Sequence, residues 1–147
     1  MYRSSGMFLS VVVFFVSMTV QASVVYNTWY ARDGVLYDVT QTAESEPVAI
    51  SLSSTGSGDV GMVISYENKS SCDDNIETLK IDKRYIQSEI TCLPTGDTSI
   101  ITYIVSEPKV IAYVLGRLRS DFTVILMGDI KIWAANIKKP LYGIGCW

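Results

Sequence analysis

The sequence predicts a mainly β domain of the α+β class, an antiparallel β-sandwich or strongly twisted sheet with one packed helix. Three observations carry that reading. Apolar and polar residues alternate with period two over several runs, as in Val48-Ala49-Ile50-Ser51-Leu52. Gly-containing turn signals such as Asp33-Gly34 and Gly128-Asp129 separate the runs. Helical spacing of apolar residues stands out in one segment, Val110 to Leu118.

The elements follow in chain order. Tyr26 to Arg32 and Val35 to Thr42 flank Asp33-Gly34 and read as a hairpin, with Trp29 and Leu36 as core anchors. After the break at Glu44-Ser45-Glu46-Pro47, Val48, Ile50 and Leu52 mark a third strand with one face inward. Ser53 to Asp59 is a Ser/Gly-rich turn, and Val60 to Tyr66 resumes alternation with Met62, Ile64 and Tyr66 on one side. Glu67 to Asn75 is a loop by composition. Leu79 and Ile81 then alternate with Lys80 and Asp82, and Ile86, Ile90 and Cys92 share a face, ended by Pro94-Thr95-Gly96-Asp97. Ile100 to Val105 is apolar on both faces, as a covered central strand would be.

Ser106-Glu107-Pro108 reads as a helix start, with the Ser106 hydroxyl as cap, an acid in the first turn and a proline where the missing amide costs nothing. Val110, Ile111, Val114, Leu115 and Leu118 supply the apolar stripe, and Arg117 and Arg119 suit the carbonyl end of the dipole. Phe122 to Met127 and Ile130 to Trp133 form a closing hairpin around Gly128-Asp129, and Ala134 to Lys139 adds a turn of helix before Pro140. This gives eight or nine strands and one helix, with no internal repeat.

The amino terminus carries Arg3, an apolar run from Met7 to Val16, and small residues at Val20 and Ala22. That is the pattern of a cleavable secretory signal over residues 1–22, too short in its apolar part to span a membrane. Residues 23–147 then form a single β-rich domain of about 125 residues, enough for one core. The whole chain carries 12 basic and 15 acidic residues, a formal charge of −3, and loss of Arg3 makes the processed chain one unit more negative. An acidic domain is unsuited to nucleic acid and suited to a basic protein partner.

Three cysteines in an exported chain imply one bridge and one leftover thiol. If Lys83 and Arg84 form a turn, Cys92 faces Asn75, and a modest loop brings Cys72 to Cys92. Cys146 either joins two copies of the chain as a homodimer or docks as an unreactive apolar end. The chain has no histidine, which removes the usual nucleophile-activating and zinc-binding arrangements. No cofactor-binding or metal-binding motif is present. Asp73-Asp74 with Glu77 is the densest acidic cluster; it reads as a solvated turn ahead of a glycosidase pair, because adjacent carboxylates do not face each other across a cleft.

In layout the chain resembles small periplasmic immunity proteins of Gram-negative bacteria, in particular those that neutralise cell-wall-degrading type VI secretion effectors such as the lysozyme-like Vibrio one. The signal Met1 to Ala22, the Cys72/Cys92 pair, the capped helix from Ser106 and the acidic balance carry that resemblance. It implies a stoichiometric inhibitor that fills the catalytic cleft of a basic wall hydrolase and transforms nothing itself. It also implies partner contacts at Asp73, Asp74 and Glu77, with Ser57 and Asp59 in a second loop. An exported envelope-binding or adhesion module without a toxin partner explains the same composition.

Overall fold

The computed structural model describes residues 23–56, 60–73 and 75–143. The leader 1–22, Ser57, Asp59, Asp74 and Cys146 fall outside the described residues. The first hairpin pairs β1 (Tyr30–Arg32) with β2 (Val35–Gln41), and positive φ at Asp33 and Gly34 makes the two-residue turn the dipeptide calls for. β3 (Pro47–Ser53) and β4 (Met62–Asn68) extend the meander, each pairing antiparallel with the strand before it. β8 (Thr98–Val105) then lies beside β4, and β7 (Glu89–Thr95) closes that edge. At the other edge β11 (Leu141–Tyr142) runs parallel to β1. The order of this seven-stranded sheet is β11-β1-β2-β3-β4-β8-β7.

A second sheet of four short strands, ordered β10-β9-β5-β6, comprises β5 (Lys80–Ile81), β6 (Arg84–Tyr85), β9 (Val124–Leu126) and β10 (Ile130–Ile132). This small sheet and α1 (Pro108–Arg119) cover one face of the large sheet. Leu36, Ile50, Leu52, Met62, Ile64, Tyr103 and Val105 point into that space, where Ile111, Val114 and Leu118 of the helix and Leu79, Ile81, Val124 and Leu126 of the small sheet meet them. Burying a side chain of this kind contributes about 1.5–3 kcal/mol relative to exposure. Trp29 is fully buried, and Asn136 clamps its backbone by accepting from its N–H at 2.7 Å and donating to its carbonyl at 3.0 Å. The Trp29 carbonyl also accepts from Leu141, which is how the last strand is seated on β1.

Four sequence expectations change. The segment 84–93 is not one strand paired with 77–83: the tight turn is Asp82-Lys83, one residue earlier, and β7 has left for the large sheet. Asp82 takes positive φ there, and its carboxylate accepts from the Ile125 N–H and the Tyr113 hydroxyl, so the turn is fixed from outside the hairpin. β8 is covered on one face only. Ile100 and Ile104 lie on the open face and pack sideways against Leu93 and Val63 on neighbouring strands. The helix is capped at Glu107, whose side chain makes no capping bond, and no acid stands in its first turn. Pro108 forces the residue before it into extended backbone, which puts the boundary at Glu107 and leaves Ser106 one position too early to cap. Residues 134–139 form hydrogen-bonded turns, not helix.

Candidate functional site: an acidic cleft at one end of the sheet

The Cys72–Cys92 disulfide forms as the cysteine spacing suggests, but by another route. β4 ends at Asn68, and the chain then crosses the end of β8, where the Ser99 hydroxyl donates to the Ser70 carbonyl at 2.7 Å. That crossing carries Cys72 to the inner face of β7, two strands from where it left, with a Cα separation of 5.7 Å to Cys92. The bridge therefore pins the 69–78 connection to the edge of the large sheet. A second fastening lies further along, where the buried Tyr103 hydroxyl donates to the Glu77 carbonyl at 2.8 Å.

This pinned connection forms one wall of a cleft of about 320 Å³. The β2–β3 turn forms another wall, and the tip of the β9–β10 hairpin a third. Five carboxylates line it, Glu44, Glu46, Glu67, Glu77 and Asp129, against a single cation, Lys69. Among the described residues the salt bridges are Arg32–Asp33 and Lys138–Asp121, and neither touches the cleft. The five acids thus form no salt bridge with any cation among the described residues. Tyr66 at the cleft floor registers the arrangement: burial pushes its hydroxyl well above the ordinary tyrosine range, a hydrogen bond with Tyr103 adds to this, and the charges of Glu77 and Asp129 push it the same way. Its ring stacks on Tyr103 at 6.2 Å between centroids.

Such an arrangement attracts and orients cations. Several unpaired carboxylates in a concave wall concentrate negative potential and raise the encounter rate with a positively charged surface. No group of three or more carboxylates and thiols among the described residues is placed to hold a metal ion.

Of the acidic residues singled out by sequence, Glu77 lines the cleft, whereas Asp73 is exposed beside Cys72 and is not part of the lining. Asp74, Ser57 and Asp59 lie outside the described residues. Sequence reasoning missed Glu44, Glu46, Glu67 and Asp129. These acids are spread over 86 positions, and it is the return of the β9–β10 hairpin to the end of β2 that assembles them. The available signal was the charged β2–β3 turn, Glu44 and Glu46 around Ser45, which reads as ordinary turn chemistry by itself.

No family model, characterised protein or solved structure matches the chain. No helix among the described residues is long and apolar enough to cross a membrane, and the disulfide points to an oxidising compartment.

Proposed function

We propose that the protein is a periplasmic immunity protein that binds a basic, lysozyme-like peptidoglycan hydrolase and occludes its active site. The observation that carries this reading is the acidic cleft, whose five carboxylates lack ion-pair partners among the described residues. Unpaired charge on a rigid wall favours a partner that supplies the opposite sign, because complementary fields speed encounter and like-charged proteins are repelled. Support also comes from the bridged cysteines, which suit export, and from the secretory pattern of residues 1–22. A disulfide-pinned wall loses little conformational entropy on docking, so the surface is prepared before contact.

The protein acts by fit and charge and performs no chemistry on the wall. The test is clearing of a peptidoglycan suspension by a basic lysozyme-like hydrolase, with and without the purified protein. Arrest at one equivalent supports the reading. Full-rate clearing at severalfold excess, or clearing by the protein alone, contradicts it.

A further inference from the structure

Beside the acidic cleft, and sharing Thr42 and Asp129 with it, lies a second groove of about 340 Å³ between the end of β2 and β10. Its chemistry differs. One acid and one base line it, Asp129 and Lys131, and the remainder is an indole, Ala43 and neutral polar side chains. Trp133 is 43 % exposed although its backbone is held firmly, its carbonyl accepting the Trp29 indole N–H at 2.8 Å. A fixed, solvent-facing indole in a concave wall is the usual anchor for a flat apolar ligand surface.

The groove leaves both donors and acceptors for a ligand. Asn27 Oδ1 is buried and makes no hydrogen bond, while the Asn27 N–H is already given to the Val39 carbonyl at 2.8 Å. A buried acceptor without a donor is costly, but with no accessible surface this oxygen is out of a ligand's reach. Gln41 gives one of its two amide N–H donors to the Ser45 carbonyl, leaving the other and Oε1, and the Thr40 hydroxyl is donated to the Lys131 carbonyl at 2.6 Å. Asp129 adds a carboxylate. The Lys131 ammonium, 5.8 Å from the Trp133 ring centroid, is a donor beside the indole.

We infer that this groove is a saccharide subsite. One sugar ring lays its C–H face on Trp133 and gives its hydroxyl protons to Gln41 Oε1 and Asp129, while Lys131 donates to a ring or acyl oxygen. Sugar hydroxyls fit because each rotates to place its proton, whereas a peptide presents one fixed N–H per residue. A basic protein surface has its complement next door in the acidic cleft, and the near-neutral groove gives it nothing further. The inference does not depend on the inhibitor reading, since a glycan-binding groove would serve any envelope protein.

The probes are the tetrasaccharide of N-acetylglucosamine and tetralysine, each titrated to about 10 mM while the backbone amides of Thr42 and Lys131 are followed by NMR in every variant, together with the Trp133 indole N–H where it is present. The saccharide is expected to give a saturable shift that weakens at least about tenfold in Trp133→Ala and severalfold in Gln41→Ala. Both variants should keep the wild-type melting temperature, and Glu67→Lys, in the neighbouring cleft, should bind the saccharide as wild type does. No saturable shift with the saccharide, or undiminished binding in Trp133→Ala, overturns the subsite. So does a Trp133 shift produced by tetralysine and not by the saccharide, which would make the groove part of a protein-docking face.

Discussion

At position 38 a carboxylate sits on the covered face of β2, 1 % exposed, where Oδ1 accepts the Thr28 N–H at 2.9 Å and Oδ2 has no partner. Burial raises the Asp38 pKa from 3.8 to about 6, against the lowering effect of the Thr28 and Val39 backbone bonds. The folded state therefore holds this proton more tightly than the unfolded chain. Stability from this group is fully present below pH 3.8 and is lost as pH rises through about 6. Above that window the ionised carboxylate costs on the order of 3 kcal/mol. Asp38→Asn keeps an acceptor for Thr28 and removes the charge, so its melting temperature should exceed the wild-type value at pH 7.5 and the gap should narrow toward pH 4. A gap independent of pH would show that Asp38 is not titrating in the fold. Nothing in the sequence marks Asp38 as buried, because it occupies an inward position of a strand whose alternation, Leu36-Tyr37-Asp38-Val39-Thr40, is blurred on both faces. The inward anchors Trp29 and Leu36, by contrast, were legible as large apolar residues on either side of an Asp-Gly turn.

Elements with a strong local signal emerge where the sequence puts them, and those defined by long-range pairing do not. Asp33-Gly34 and the apolar stripe of α1 are local devices, and both are realised. β7 illustrates the reverse. Its alternation is that of any strand, and pairing with β8 through the Gly96-Asp97 turn outcompetes the hairpin with 77–83. The disulfide was nonetheless legible, since any fold that brings the 69–78 connection near β7 joins the same two sulfurs. Cys72 and Cys92 close a separation of 20 residues, so replacing either with serine should cost about 3 kcal/mol by the chain-entropy estimate. The check is thermal unfolding under non-reducing conditions, and an unchanged midpoint would mean the bridge stabilises nothing. At the helix start the extended backbone of Glu107 is already that of a cap, without a capping bond. Glu107→Ser places a short hydroxyl there and should raise stability by about 1 kcal/mol, about 4 °C in melting temperature for a domain of this size. No rise would mean that the first-turn amides are satisfied by another route.

Across the whole molecule, the architecture serves one end of the large sheet. The β2–β3 turn, the end of β4, the pinned 69–78 connection and the β9–β10 tip converge there, and the acids they bring form a cleft that the net charge of −3 only hints at. Charge balance announces the sign of a partner, whereas the position of the site depends on which turns the topology brings together. The central claim is that this cleft meets an external cationic surface, and the most direct test is the association rate constant with a basic lysozyme-like hydrolase as a function of ionic strength. Wild type should associate more slowly as salt rises from about 0.01 M to 0.15 M, where the screening length falls from about 30 to 8 Å. Glu44→Lys, Glu46→Lys and Glu67→Lys combined should associate slowly at every ionic strength, with little salt dependence left. Wild-type and triple-variant rates that coincide across the series would contradict the account.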